Sequence, residues 1–400
     1  MKDNLLASYR VILAGDMIAK AMTALSILLA IRTLAPRELA TYVYLGAIAA
    51  AAYSFFNGFF NRQYLFDAQG QMHIGGFRFL AAVMTALGCG GVLAFSDVAG
   101  VWLIVPTVTL ALLAMDYEFK RTVLQKIGRF RPYALAEVFR AALFLSLTCV
   151  VVSLSLDHAA AILIGAQALS FLAASALIRV RAEGSVALGE QIRVIAGGML
   201  RTSSLILILY FILVGLFGQL PVLLYKPHAS DWDYAQFGSA FRYYGLLVSI
   251  SAAVNVVSLP SIATSTETSW YRLLTAMKRV FFVSLLLVAA AVIVGTQAIP
   301  LIDGGTYPAA PQQFAILSVA ILGGVFVGPL GGLFLRAGQL GYLLVSQAFA
   351  VAAAAAIIMM LGGHGTLWVA AALPGGILCQ LLMLLVGLPL TGTRAEAAEQ

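Results

Sequence analysis

The chain has 400 residues, of which 62% are apolar and 10% charged, and a formal net charge of +7 at pH 7. Soluble domains run to roughly 45–50% apolar and about 25% charged, so a water-soluble core is excluded and a membrane-embedded chain is expected. The basic residues lie in connectors between apolar runs rather than on one amphipathic or aromatic-bearing face, which excludes nucleic acid as the partner and leaves the charge as a topology signal.

A helix needs about 20 mainly apolar residues to cross the hydrocarbon layer. Twelve such runs are predicted, at 11 to 31, 40 to 61, 77 to 96, 99 to 117, 134 to 155, 159 to 179, 200 to 223, 235 to 259, 278 to 299, 311 to 335, 340 to 361 and 365 to 388. The alternating ten-residue pattern of a transmembrane barrel is absent, so the expected fold class is an all-α polytopic membrane protein. The first run is too long, and carries too many charges, to read as a cleaved secretory signal.

The stretch 120 to 140 holds Lys120, Arg121, Lys126, Arg129, Arg131 and Arg140 between two apolar runs. Short basic loops stay on the cytoplasmic side, and placing this one inside puts both termini inside. Thirteen further basic residues then fall inside as well: Lys2, Arg10, Arg62, Arg78, Arg179, Arg181, Arg193, Arg201, Arg272, Lys278, Arg279, Arg336 and Arg394. Outside fall Arg32, Arg37 and Lys226, while Lys20 and Arg242 lie within spans. The bias supports twelve helices with cytoplasmic termini.

After the fourth run the chain reads Lys126-Ile-Gly128, with Tyr133 beyond; after the tenth it reads Arg336-Ala-Gly338, with Tyr342 beyond. Two six-helix lobes, 1-190 and 191-400, are therefore expected, joined by the polar connector from Arg179 to Arg201 with Glu183, Gly184, Ser185 and Gly189.

Ionisable residues inside spans carry the functional signal, because a lone charge at mid-bilayer costs about 2.5–3.5 kcal/mol even on the lenient insertion scale. Asp16 and Lys20 lie four apart on one helical face, which Thr23 continues. Either the two neutralise each other and hold the first helix to its neighbours, or Asp16 titrates or binds a coupling cation while Lys20 meets an anionic substrate. Arg242 has no carboxylate three or four residues away; Ser239 and Ser249 share its face, with Gly238 and Gly245 beside it. A guanidinium there suits phosphate oxygens or backbone carbonyls of a neighbouring helix. Tyr53, Asn57 and Asn61 repeat every four residues, a stripe suited to sugars or to interhelical hydrogen bonding. Gln167, Asn255 and Gln347 are single polar residues in other spans, and Pro260 and Pro329 bend theirs.

No catalytic constellation appears, and an enzyme is not expected. There is neither a GxxxxGK[ST] loop nor a dinucleotide fingerprint. His73, His158, His228 and His364 fall in different connectors, and Cys89, Cys149 and Cys379 fall in apolar runs without CxxC spacing. No metal or cofactor is therefore expected. Asp231-Trp232-Asp233 has the form of a sugar-nucleotide metal motif, yet two acids in a short loop read more simply as solvated.

Several stretches resemble polysaccharide repeat-unit flippases of the multidrug, oligosaccharidyl-lipid and polysaccharide exporter superfamily. IRTLAPRELATYVYL at 31 to 45 is similar to that family's first external turn, and VLQKIGRFRPYALAEVFRAALFL to its fourth-to-fifth helix region. DWDYAQFGSAFRYYGLLVSISAAVNVVSLPSIA is similar to the start of its eighth helix, and IPLIDGGTYPAA at 299 to 310 to the external turn before the tenth. The chain departs from the pattern at Ala40, where Gly is usual, and at Asp303-Gly304, where an apolar residue precedes the Gly. The resemblance implies two lobes that rock between inward-open and outward-open states in a bacterial cytoplasmic membrane. The cargo it implies is an undecaprenyl-diphosphate-linked oligosaccharide repeat unit, a lipid-linked anionic oligosaccharide, driven by an ion gradient. Surface-polysaccharide polymerase and glycosyltransferases would be partners beside the membrane lipids. Lys20 and Arg242 are the positions carried over as luminal cations. A cation-coupled multidrug antiporter of the same superfamily is the alternative, with a polytopic glycosyltransferase or polymerase behind it.

Overall fold

Apolar runs buried in lipid must satisfy every backbone N–H and C=O internally, which leaves helices as the solution for this composition. The computed structural model describes residues 2–66, 73–94, 96, 100–154, 158–179, 186–264 and 270–388, with side chains of 2–13, 56, 62, 65, 66, 249–264, 270–277, 279 and 280 outside the description. Thirteen α-helices are found among them: α1 (Lys2–Thr33), α2 (Pro36–Phe66), α3 (Ile74–Ala94), α4 (Val101–Lys126), α5 (Phe130–Ser153), α6 (Ala159–Leu177), α7 (Leu188–Met199), α8 (Thr202–Tyr225), α9 (Asp231–Thr264), α10 (Trp270–Ile302), α11 (Ala310–Arg336), α12 (Leu340–Leu361) and α13 (Thr366–Gly387). Eleven are long and apolar enough to cross a membrane. The expected eighth span falls on α9, which is not one of the eleven, and the side chains of Ser249, Asn255 and Pro260 lie outside the described residues. So do Glu183, Gly184 and Ser185 of the expected mid-chain connector.

The basic stretch from Lys120 to Arg140 is not a loop. α4 runs on to Lys126 and α5 begins at Phe130, leaving a three-residue turn. Lys120, Arg121 and Arg140 thus lie within helices, and Arg121 and Arg140 are buried. The expected spans at 99 to 117 and 134 to 155 stop the fourth helix short and start the fifth late because they treat these cations as solvated. Carboxylates keep them inside instead: Lys120 pairs with Asp116 and Arg140 with Glu137 of their own helices, and Arg121 meets Asp16 of α1 and Glu137 of α5.

The turn itself follows from Gly128, which adopts φ +70° and lets its amide and that of Arg129 close back on the carbonyls of Gln125 and Leu124. Gly338, at φ +68°, repeats the motif between α11 and α12, with its amide and that of Gln339 on Leu335 and Phe334. The similarity of the two stretches, read from sequence, is thus a shared helix-capping geometry.

By packing, the chain divides into two compact units, Met1–Gln219 and Leu220–Gln400. In the first, α4 packs on α2, α3 and α6, α5 on α6, and α1 on α5. In the second, α11 packs on α9, α10 and α13, and α12 on α13. The three partners named for α4 correspond in order to those of α11, while the boundary between the units falls within α8. Where the repeat expectation starts a second lobe at 191, the amphipathic α7 docks on α3 by accepting the Gly76 amide on Gln191 Oε1 at 2.8 Å.

Close approach of helices uses small residues. A Cβ on Gly15 of α1 would stand 2.7 Å from the Ala134 Cβ of α5, and one on Gly215 of α8 would stand 2.6 Å from the Ser54 hydroxyl of α2. Gly387 of α13 lies under the Tyr342 ring, whose hydroxyl donates to the Met383 carbonyl at 2.6 Å.

Candidate functional site

α4 carries different chemistry on three faces, because Asp116, Tyr117, Glu118, Phe119, Lys120 and Arg121 turn by about 100° per residue. Phe119 meets Tyr64 of α2 and Phe77 of α3 at ring distances of 5.2 and 6.4 Å. Asp116 and Lys120, one turn apart, look toward α3 and α6. There the Asp116 carboxylate accepts from Arg78 Nε at 2.8 Å and Ser175 Oγ at 2.6 Å, and Lys120 Nζ lies 3.0 Å from it. Lys120 also donates to the Ser175 carbonyl at 3.1 Å, which accepts the Ile178 amide as well, in the last turn of α6. This face ties three helices together.

The third face carries the candidate site. Gly15 brings α1 against α5, and the next residue, Asp16, then reaches the Arg121 guanidinium at 3.4 Å. Arg121 also contacts Glu118 of its own helix at 3.1 Å and Glu137 of α5 at 3.5 Å. Glu137 is held from three sides, by Arg140 Nη2 at 2.7 Å, Arg140 Nε at 3.2 Å and the Tyr117 hydroxyl at 2.7 Å. Aromatic faces cover both cations: Arg121 sits 4.1 Å from the Tyr133 ring centre and Arg140 4.8 Å from that of Phe171. Tyr53 of α2 lies within electrostatic reach of Glu118, Arg140 and Glu137, and Lys20 of Asp16.

Three carboxylates face two guanidiniums here, with the Lys20 ammonium within electrostatic reach of Asp16. A buried ion pair lasts only where geometry and hydrogen bonds offset desolvation. Glu137 and Arg140 meet that requirement, with side chains 14% and 9% exposed. Asp16 meets it least, with one contact at 3.4 Å and a side chain 32% exposed.

Of the residues singled out from sequence, Asp16 lies in this cluster, with Lys20 within electrostatic reach of it and Tyr53 within reach of Glu118, Arg140 and Glu137. Lys20 is exposed, and the nearest ionic partner of Asp16 among the described residues is Arg121 rather than Lys20. Asn57 and Asn61 remain on α2, half-buried, and the Asn61 Oδ1 has no hydrogen-bond partner among the described residues. Arg242 is half-buried on α9 in the second unit. Glu118, Arg121, Glu137 and Arg140 were not singled out as site residues. Their signal is the spacing Glu-x-x-Arg, which occurs once in α4 and once in α5 and sets each pair on one helix face.

By sequence, no protein-family model and no curated protein matches this chain. Its structure is similar to the lipid II flippase MurJ in an inward closed conformation, with TM-score 0.71 at 10% identity over 94% of this chain and 87% of that one. It is similar to a MATE transporter crystallised with a bound compound, with TM-score 0.62 at 15% identity over 98% and 96%. It is also similar to a transporter of the multidrug, oligosaccharidyl-lipid and polysaccharide superfamily from Pyrococcus furiosus, with TM-score 0.53 at 15% identity over 98% and 96%. At such identities the likeness establishes the fold, an all-α polytopic membrane protein of MurJ and MATE type. All three neighbours are transporters.

Proposed function

We propose that this chain is a flippase that moves an undecaprenyl-diphosphate-linked oligosaccharide repeat unit across the bacterial cytoplasmic membrane for surface-polysaccharide assembly. The observation that carries the reading is the fold likeness to a lipid II flippase at TM-score 0.71, joined to the sequence stretches quoted above. In this reading twelve helices span the membrane with both termini cytoplasmic, and two six-helix lobes divided near 190 and 191 alternate access.

Arg121 and Arg140 are already bound by carboxylates, so they do not serve the diphosphate. Lys20, exposed, and Arg242, half-buried, take that role. Tyr53, Asn57 and Asn61 meet the sugars. Asp16 couples the cycle to an ion gradient: protonation or a bound cation neutralises its carboxylate, loosening α1 from Arg121 on α4. The test is deletion of the gene followed by mass spectrometry of lipid-linked saccharides. Complete repeat units trapped in the cytoplasmic leaflet, with surface polymer missing, support flipping; incomplete units point to a role in synthesis and refute it.

A second reading, a cation-coupled multidrug antiporter, is favoured by the single long contact of the Asp16 carboxylate and by the MATE-like fold. A drug-susceptibility change on deletion, with lipid-linked saccharides normal, decides for it.

A further inference from the structure

Helix α7 carries a surface that neither the proposed cycle nor the packing of its unit uses. It stands between α6 and α8, each long and apolar enough to cross a membrane. Its own twelve residues rise only about 18 Å against a hydrocarbon layer of about 30 Å. It therefore lies on the surface where α6 leaves the membrane and α8 enters it. Contacts within the first unit fix its level. Gln191 accepts the Gly76 amide at 2.8 Å in the first turn of α3, and the Ile195 side chain lies against the same glycine. Two residues on, Arg78 of α3 donates to one oxygen of Asp116, whose other oxygen accepts from Ser175 near the end of α6. The start of α3 thus stands level with the end of α6, and α7 is held at that level.

At about 100° per residue the helix presents three arcs. Gln191 and Ile195 form the buried arc, turned to α3. Leu188 and Val194 flank it on either side, 48% and 54% exposed, and Leu200 follows the helix at 75%. Glu190, Arg193 and Gly197 make the opposite, exposed arc. Apolar flanks beside a docked stripe, with charge opposite, suit a helix lying in the plane of a bilayer surface, its apolar residues at the boundary of headgroups and acyl chains.

Charge selects the lipid. Among the described residues between α6 and α8, the cations Arg179, Arg193 and Arg201 are exposed against one acid, Glu190, and none of the three cations is in an ion pair with a described residue. A cation at a bilayer surface is attracted by anionic headgroups and gains little from zwitterionic ones. We propose that α7 is a binding helix for anionic phospholipid: Leu188, Val194 and Leu200 enter the acyl boundary, while Arg179, Arg193 and Arg201 hold the phosphates of that leaflet. This lipid is a resident of the transporter and not its cargo.

The test uses the full-length chain with Cys89→Ala, Cys149→Ala and Cys379→Ala, carrying one new cysteine, Val194→Cys or Glu190→Cys, labelled with bimane. In nanodiscs of phosphatidylcholine and phosphatidylglycerol, brominated acyl chains should quench the label at position 194 and aqueous iodide the label at 190. Phosphatidylglycerol titrated into mixed micelles should change the signal at 194 saturably. Arg193→Gln and Arg201→Gln should each weaken its apparent Kd about fivefold at an unchanged thermal midpoint in detergent. Arg193→Lys should retain most of the affinity. Arg37→Gln should leave it unchanged, because the neighbouring Glu38 meets the first turn of α6, at the opposite end from α7. A label at 194 reached by iodide and not by brominated chains leaves the face open to water, as a docking face for a soluble protein would be, and overturns the proposal. So does a phosphatidylglycerol response that is unchanged when both arginines are replaced.

Discussion

Glu137→Gln is the substitution that most directly probes the first unit. It preserves side-chain shape and leaves an oxygen for the Tyr117 hydroxyl, which donates to Glu137 at 2.7 Å. What it removes is the charge facing Arg140 at 2.7 Å and Arg121 at 3.5 Å. At an effective dielectric of about 20, the nearer pair alone is worth roughly 6 kcal/mol of attraction before desolvation is subtracted. Breaking a buried pair by deleting one partner typically costs about 3–5 kcal/mol. With side chains only 14% and 9% exposed, solvent screening removes little of that figure. At roughly 2 °C per kcal/mol for a unit of this size, the thermal midpoint in detergent should fall by about 6–10 °C. The assay is a double-mutant cycle with Arg140→Met, followed by unfolding of the purified protein. The double mutant should recover part of the loss, since the orphaned guanidinium is gone. A midpoint for Glu137→Gln within about 1 °C of wild type, or a coupling free energy below about 0.5 kcal/mol, would refute the account of this cluster.

Asp16→Asn should leave the fold intact, because Arg121 keeps Glu118 and Glu137, but flatten the pH or cation dependence of transport in proteoliposomes; an unchanged dependence removes Asp16 from coupling. Arg242→Ala should reduce flipping at normal protein abundance, with partial recovery in Arg242→Lys, since a point charge lacks the bidentate fork; undiminished transport ends its substrate role. Gly15→Ala drives a methyl toward the Ala134 Cβ at 2.7 Å and should destabilise by about 1–3 kcal/mol, whereas Gly90→Ala, with nothing within 4 Å, should be neutral or stabilising by up to about 1 kcal/mol in thermal unfolding. Burial raises the Asp303 carboxyl above its ordinary value, against the lowering effect of the Gly305 and Tyr307 amides. Its contribution to stability is therefore greatest below the unfolded-state value near 4 and declines as pH rises through the folded value. The wild-type midpoint should fall across that window, and Asp303→Asn should remove the slope.

Composition and periodicity decided the architecture because both are local quantities. Apolar runs of about 20 residues in a chain with 10% charge admit spanning helices and little else. The glycines at 128 and 338 announced two equivalent helix ends, since a left-handed residue after a basic last turn is itself a local signal. That Asp16 belongs inside protein was also legible, from the cost of leaving it in lipid.

What Arg121 and Arg140 do was not legible in this way. A cation near the end of an apolar run reads identically whether it snorkels to a lipid headgroup or turns inward onto a carboxylate. The partners that decide it here are Asp16 and Glu137, 105 and 16 positions from Arg121 along the chain, brought within 3.5 Å by the packing of α1 and α5 on either side. Likewise Asp303 looked like a turn residue in its own stretch, and only the fold buried it. Hydropathy is a sum over neighbours in sequence, whereas the energy of a charge in a membrane protein depends on its neighbours in space.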